Sequence, residues 1–559
     1  MSRIYSLSAL LLTFLLAACS PGPKAQDVVT ISIVGTNDVH GALAPEGDLG
    51  GIVAFSTRVD ALRAARRADG GAVLHVDAGD MWQGTLESNL SEGAAVVAMY
   101  NAMGVTAATL GNHEFDFGPE GPLAIPVEPT DDPQGALKQR LREAQFPVLA
   151  ANIIDTSTGL PVQWEGVQPA VMVDAAGIKV GIVGVVTSRA LLTTIAANTV
   201  GLSIAPLAEA ITREALQLRA NGAALVIVAA HAGGRCEDFS DANDLSSCVM
   251  SAEIMRVAND LEPGLVDHIV AGHHHNPIAH VVNGIAITSN KSKIASFGRV
   301  DFRVDRSSGT VIERAVFPPQ PNPADLGVPY EGHALLPDPG IETIAQQASV
   351  QAEALKNQEL GVLLTGPFEL VPDIESAMSN LMTEAILDSF DADIAIHNVF
   401  GGIRKGLPAG ELTYGAVYEM FPFDNLVSIH EISGRDLRRI IARKADTPRK
   451  AGFAGMRVFV TCSDTGMQVR MLLDDGREIS DEDRVRVVAN DFLALGGDDI
   501  LTPAIPEGGF EIRADMPLTR DTLVAWFGKQ DDRLDPADFE THSAPKWNVP
   551  DTIPAGCTL

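Results

Sequence analysis

Two successive α/β units are predicted by three features of this 559-residue chain. Short apolar runs rich in Val, Ile and Ala recur between Val28 and Ala271, bounded by Gly and polar residues, as buried strands are. Stretches with helical spacing separate several of them, and strand alternating with helix implies a layered domain. After a Pro-rich interval the same alternation begins again.

Residues 1–18 read as an export signal, with Arg3 as a short basic flank and Leu7 to Leu16 as an apolar run too short to span a bilayer. They end in Leu16-Ala17-Ala18-Cys19, which resembles the bacterial lipoprotein box: cleavage before Cys19, then lipidation of its sulfur. Several acyl chains on one residue hold a soluble body to a membrane, where one chain binds only marginally. The expected location is therefore outside the cytoplasm, lipid-anchored, on the periplasmic face of the outer membrane if the cell is Gram-negative. Residues 19–27 form a polar tether.

The first unit, residues 28–314, carries predicted strands at Val28–Val34, Ala72–Val76, Val105–Leu110, Lys179–Val186, Ala223–Ala230 and Val266–Ala271. Helices are expected around Glu92–Met103 and Leu207–Arg219, and a β-rich close near Arg306. Residues 315–360 read as a linker and a bridging helix, Ile341–Lys356, with little apolar face. The second unit, 361–541, has predicted strands at Ala392–His397, Leu426–Ile432 and Arg484–Ala489. Ser433-Gly434-Arg435-Asp436 resembles a capping box opening a basic helix toward Lys444. Residues 542–559 are a tail.

Composition narrows the function. Lys and Arg number 41 against 72 Asp and Glu, a formal charge of −31, which argues against nucleic-acid polymers as partners. An anionic ligand would need local positive charge from metal or Arg. Without Cys19, four cysteines remain, an even number that in an oxidising compartment suggests two disulfides. Cys236–Cys248 would close a short loop after His231, and Cys462–Cys557 would tie down the tail; the count alone does not fix this pairing. No Cys-x-x-Cys pair occurs, so no thiolate zinc site is expected.

Five ligand clusters follow predicted strands: Asp38 and His40, Asp80, Asn112 and His113, His231, and His273 and His275. Open α/β sheets gather ligands at the carboxyl ends of their strands, so residues distant in sequence would converge on one crevice. Asp-x-His and His-x-His would put alternate side chains on one side of an extended segment, leaving Val39 and His274 as spectators. Imidazole with carboxylate and amide oxygen suits two divalent ions, Zn or Mn first and Co or Fe next, bridged most naturally by Asp80. His75 reads as a core histidine. His268, His280, His333, His430 and His542 have no partner identifiable in the sequence.

The segments Gly79-Asp80-Met81-Trp82-Gln83-Gly84-Thr85 and Gly111-Asn112-His113-Glu114-Phe115-Asp116 closely match the calcineurin-like metallophosphoesterases, and more narrowly the 5′-nucleotidase family. The likeness covers about residues 28–541. It implies an αββα metallophosphoesterase domain, a linker helix and a second α/β domain, with rotation between domains opening a cleft. It also implies that Asp38, His40, Asp80 and His275 hold one ion and that Asp80, Asn112, His231 and His273 hold the other. His113, oriented by Asp116, is the implied catalytic histidine. A hydroxide on the ions would attack phosphorus in line with the leaving oxygen.

The second unit is similar to the family's substrate domain through Gly401-Gly402-Ile403-Arg404, Phe421-Pro422-Phe423-Asp424-Asn425 and Asn490–Asp498. By that likeness Phe423 and Phe492 sandwich a base, Asn425 and Asp498 bond the nucleoside, and Arg404 contacts phosphate. Three departures set this chain apart. No Arg occurs between Arg314 and Arg404, Val399 stands where Asn is usual, and Asp499-Ile500 replaces Gly and an aromatic. The reading is a dimetal hydrolase of nucleotides or related phosphate esters. Its alternatives are 2′,3′-cyclic phosphodiesterase or nucleotide-sugar diphosphatase action on the same site, or, from another class, a lipoprotein that captures nucleotide or metal without turnover.

Overall fold

A computed structural model describes residues 27–559 apart from 372–374, 400, 446–450, 465, 514, 531–532, 542–543, 551 and 555. Cys19, the export signal, most of the tether, His542 and the 372–374 part of the Arg-free stretch lie outside the described residues.

In chain order the first unit contains β1 (Val28–Thr36), α1 (Gly51–Asp69), β2 (Ala72–Asp77), α2 (Ala94–Met103), β3 (Ala107–Thr109), β4 (Val148–Leu149), β5 (Val167–Gln168), β6 (Ala170–Ala175) and β7 (Ile178–Val186). It continues with α3 (Leu207–Ala220), β8 (Leu225–His231), α4 (Glu253–Asp260), β9 (His268–Ala271), β10 (Ile278–Val282), β11 (Ile285–Ser289), β12 (Ser296–Asp305) and β13 (Thr310–Val316). One sheet runs β13-β12-β1-β2-β3-β4-β5, with Gln320–Pro321 paired off to the side on β12. The other runs β10-β11-β9-β8-β7-β6. In the first, β1 to β5 are parallel neighbours and β12 is antiparallel to β1.

The sheets face one another. Val29, Ile31 and Ile33 of β1 share one buried cluster with Val180 and Ile182 of β7 and Leu225 and Ile227 of β8. Helices α1 and α2 pack outside the first sheet and α3 and α4 outside the second, giving αββα layers. A parallel strand covered on both faces has no polar side to show, which is why these strands appear as unbroken apolar runs.

The bridging helix, α5 (Pro339–Lys356), is capped by the Asp338 side chain, which accepts from the Gly340 and Ile341 amides. Its apolar stripe is narrow but present: Ile341, Ala345, Ala348 and Ala352 are buried, with Ala352 set against Leu86 and Tyr418. The second unit contains α6 (Ala377–Asp388), β14 (Ile394–His397), β15 (Val427–Ser433), α7 (Gly434–Ala445), β16 (Gly452–Ala454), β17 (Met456–Ser463), β18 (Gly466–Leu473), β19 (Arg484–Asn490) and β20 (Trp547–Asn548). Its main sheet runs β15-β19-β14-β16, and a smaller one runs β18-β17-β20. At the start of α7, the Asp436 amide donates to Ser433 Oγ at 3.1 Å, and Ser433 Oγ donates to the Asp436 carboxylate at 2.6 Å. Both disulfides form as paired above, Cys236–Cys248 and Cys462–Cys557. Among the described residues no helix is long and apolar enough to cross a membrane.

Candidate dimetal site and cleft

Strands β1, β2, β3, β8 and β9 deliver their ligand clusters to one rim, and two trios of ligand atoms result. Asp38, His40 and His275 form one and Asp80, His231 and His273 the other, each with its atoms within 4.8 Å of one another. Asn112 joins the second, its Oδ1 3.1 Å from His231 Nε2. His231 Nε2 also lies 3.1 Å from Asp80 Oδ2.

Second contacts fix how the imidazoles point. His40 Nδ1 donates to the Gln83 carbonyl and His231 Nδ1 to the Ala78 carbonyl, both at 2.8 Å, leaving each Nε2 turned into the site. His40 Nε2 then faces His275 Nε2 at 3.1 Å. Such a pair is held either by a shared proton or by a cation in its place, so the donor set fits a divalent ion. Charge agrees. Burial opposes ionisation of Asp38, yet His275 holds its carboxyl far below the usual carboxylate range. Burial likewise opposes ionisation of Asp80, but His231 and His113 hold it well below that range. Burial keeps His40 and His273 neutral, the form that ligates. His231 is pulled up to about 10 against burial, chiefly by Asp80.

The expected extended geometry of the two His-containing motifs is not what the chain adopts. Asp38, His40, Asp80, His273 and His275 all have φ between 48° and 77°, the left-handed region. Turn backbone, held by bonds such as the Asp38 amide to the Gly79 carbonyl at 2.9 Å, brings the paired side chains together. A pleat does not. Val39 is fully buried in the core, and His274 is exposed, its ring over Gly233.

His113 lies at the cleft floor. Its Nδ1 donates to Asp116 Oδ2 at 2.6 Å, and Thr194 Oγ donates to Asp116 Oδ1 at 2.7 Å. From the second unit, Arg404 Nη2 donates to His113 Nε2 at 2.9 Å. Phe423 stacks on His113 with centroids 5.6 Å apart, and the Arg404 guanidinium lies 5.1 Å over the Phe423 ring. Asn425 is turned inward, donating to Asp491 at 2.9 Å. Asp498, at φ 52°, accepts from Asn398 Nδ2 at 2.8 Å. Phe492 packs against Gly497, and with Phe423, Asn425 and Asp498 it lines a cleft of about 850 Å³ between the units.

A model of the 5′-nucleotidase C-terminal domain matches residues 366–504. The cell wall protein Lmo0130 of Listeria monocytogenes is 26% identical over 87% of this chain, which spans 66% of that protein. A 5′-nucleotidase of Vibrio cholerae is 24% identical, with 86% of this chain and 88% of that one covered. The fold matches that of a 5′-nucleotidase precursor from Thermus thermophilus, at a TM-score of 0.71 and 21% identity, covering 94% of this chain and 100% of that one. Residues 366–504 belong to the 5′-nucleotidase C-terminal domain family. The N-terminal αββα layers share their fold with the corresponding part of that Thermus protein.

Several residues of this 5′-nucleotidase relative support the site without having been singled out in the sequence. Glu114 accepts from the amides of Asp80 (2.9 Å), Met81 (2.7 Å) and Gly111 (2.6 Å), clamping the turns after β2 and β3 together. Asn37 donates to Asp38 at 2.7 Å and is itself held by the Asn290 amide at 2.9 Å. Asn198 donates to the Phe115 carbonyl at 3.0 Å. Glu114 sits inside a quoted motif and was visible there; Asn37, Thr194, Asn198 and Asn290 carry no spacing that marks them.

Proposed function

We propose that this chain is an exported, lipid-anchored phosphohydrolase that releases phosphate from nucleotides. Residues 28–314 supply the metal ligands and residues 361–541 the substrate grip, with Cys19 carrying the lipid. The observation that supports it most is the convergence of His40 and His275 Nε2 at 3.1 Å beside the Asp80–His231–His273 trio, in the same cleft as His113 and Phe423.

Two divalent ions there supply positive charge to the phosphoryl oxygens and a water acidic enough to ionise near neutral pH. Asp38, His40 and His275 would hold one ion, and Asn112, His231 and His273 the other, with Asp80 available to both. His113, fixed by Asp116, bonds the leaving oxygen or gives it a proton. Arg404 turns its forked donors from His113 to a phosphate oxygen when substrate enters. Phe492 and Phe423 flank the base, and Asn425 and Asp498 bond the nucleoside.

A second reading has its own observation. Arg404 is the sole arginine that residues 315–559 contribute to the cleft lining among the described residues. A cyclic phosphodiester or a nucleotide-sugar diphosphate carries less charge per phosphorus than a monoester, so it needs fewer guanidinium contacts. Metal-loaded protein assayed on AMP, 2′,3′-cyclic AMP and UDP-glucose, with phosphate and nucleoside both measured, separates these. Phosphate from AMP alone selects the first reading. Ring opening of the cyclic compound without prior phosphate release selects the second. No hydrolysis of any of the three by protein that has taken up two ions overturns both.

A further inference from the structure

We infer a second metal site, opened by reduction of Cys236–Cys248 and built from those two thiolates and His280. The two sulfurs and one imidazole nitrogen already lie within 4.8 Å of one another. His280 is buried on β10, outside the dimetal cleft; its Nδ1 accepts from the Ala279 amide at 3.3 Å, the Asp238 backbone faces the ring, and Nε2 has no close partner. Phe239 covers the ring, with centroids 5.7 Å apart. Cys236 is buried and Cys248 half-buried, so access is from the Cys248 side.

The three groups stay together without the sulfur–sulfur bond. The Cys236 amide donates to the Pro277 carbonyl at 3.2 Å, Val281 to Ala242 at 2.7 Å, and Val249 to Arg235 at 2.9 Å. These bonds tie both ends and the middle of the 236–249 loop to β10, to Pro277 just before it, or to the loop's own other end. The loop also carries Glu237, Asp238, Asp241 and Asp244, which raise the local concentration of cations.

The chemistry balances with a small-molecule dithiol as reductant. The dithiol passes two electrons to the disulfide and becomes a cyclic disulfide, and Cys236 and Cys248 become thiols. Metal binding then expels both thiol protons to water and forms two metal–sulfur bonds and one metal–nitrogen bond. About 2.3 Å for zinc–sulfur and about 2.0–2.1 Å for zinc–nitrogen place ligand atoms roughly 3.3–3.8 Å apart; the two sulfurs move apart to that spacing on reduction, and the imidazole nitrogen already lies within 4.8 Å of both. Two thiolates and an imidazole select Zn²⁺ or Cu⁺, unlike the oxygen- and nitrogen-only dimetal cleft. The 12-residue separation of the cysteines explains why no short motif announces the site.

The test uses the full chain treated with a dithiol and then with Co²⁺. A sulfur-to-cobalt charge-transfer band is expected in the reduced chain, absent from the oxidised chain, and bleached by Zn²⁺. Alkylation followed by mass spectrometry reads each thiol separately. Zn²⁺ should slow modification of Cys236 and Cys248 about tenfold or more, leaving Cys462 and Cys557 unchanged. His280→Phe, which keeps a ring in place, and His280→Gln should each weaken that protection about 10–100-fold. No band, no protection of Cys236 and Cys248, or undiminished protection in both His280 variants overturns the site. A chain that unfolds on reduction shows four equally fast thiols and no band, and that result overturns it as well. None of these readouts involves hydrolysis, so the outcome is independent of the proposed activity.

Discussion

Both ring nitrogens of His113 are committed, Nδ1 to Asp116 and Nε2 to Arg404. A guanidinium only donates, so while Arg404 is bonded there Nε2 accepts and the ring proton sits on Nδ1; against burial, Asp116 and Asp80 raise the ring's pKa and favour a second proton on Nε2 once Arg404 turns away. Replacing the ring removes the group proposed to act on the leaving oxygen but touches no proposed ligand. His113→Ala is therefore expected to retain two ions by elemental analysis while kcat falls about 10²–10⁴-fold; unchanged turnover would remove the proposed role. Glu114 works differently, through three backbone amides. Glu114→Ala strands those donors in a buried place and frees the turn that carries Asp80. Metal affinity should drop about 10–100-fold, read by competition with a chelator, with a lower Tm in the metal-free protein. The conservative Glu114→Gln keeps an acceptor oxygen and should lose less on both measures.

At the scale of elements, the turns after β2 and β3 meet so closely that neither tolerates a side chain. A Cβ on Gly111 would lie 2.2 Å from Asp80 Oδ1, and one on Gly79, at φ 87°, 2.6 Å from the Gly111 amide nitrogen. Gly111→Ala should therefore displace Asp80 and abolish the metal-induced rise in Tm while leaving the far-UV circular dichroism unchanged. The strands that carry these turns were legible in the sequence because parallel strands covered on both faces must be apolar throughout: β1, β2 and β7 begin within a residue of their expected starts. β3 is shorter than expected: Val105 still belongs to the turn that leaves α2, its amide donating to the Tyr100 carbonyl, and Thr106 bonds across to His75 of β2 before the strand begins. The left-handed backbone at Asp38 and His275 was not legible, because φ is set there by tertiary bonds and not by residue type. Nor was the Arg404–His113 contact, which depends on how two separately folded units are docked.

For the molecule as a whole, buried neutral histidines set the acid limit. Burial pushes His75, His268 and His397 each down to about 3 in the folded state, from an ordinary 6.5. The unfolded chain therefore takes up protons that the folded chain refuses, and stability falls as pH drops from about 6.5 toward 3. Each contributes a slope of about 1.4 kcal/mol per pH unit. Asp77, Glu114 and Asp491 act oppositely: burial raises them to about 7, 8 and 6, so they cost stability as pH rises from about 4. Burial also lowers His40 and His273, and with these two the histidines outnumber the acids. Urea unfolding between pH 4.5 and 6.5 should show stability rising with pH, and His397→Phe, which fills the site with another ring, should flatten that slope by about one proton's worth. The outer rim of the cleft adds an ionic-strength dependence. Lys405 reaches Glu46 of the first unit at 2.9 Å and Glu419 at 2.6 Å, and Lys356 reaches Glu87 at 3.0 Å. Such half-exposed pairs are each worth about 0–1 kcal/mol. Small-angle scattering should then show the radius of gyration of Lys405→Ala, or of the native chain in molar salt, increased toward an opened form; no change would mean that the units are held by their other contacts.

One covalent link governs how the protein can be handled. Cys462 and Cys557 stitch the last residues to β17 around a ring of 95 positions. By chain-entropy reasoning a ring of that size is worth about 4–5 kcal/mol against the denatured ensemble. Recombinant material made in a reducing cytosol would lack that contribution from the moment of synthesis, and reductants in a storage buffer would erode it later. Secretion into an oxidising medium, with no free thiol added afterwards, is the preparation that preserves the native cross-link.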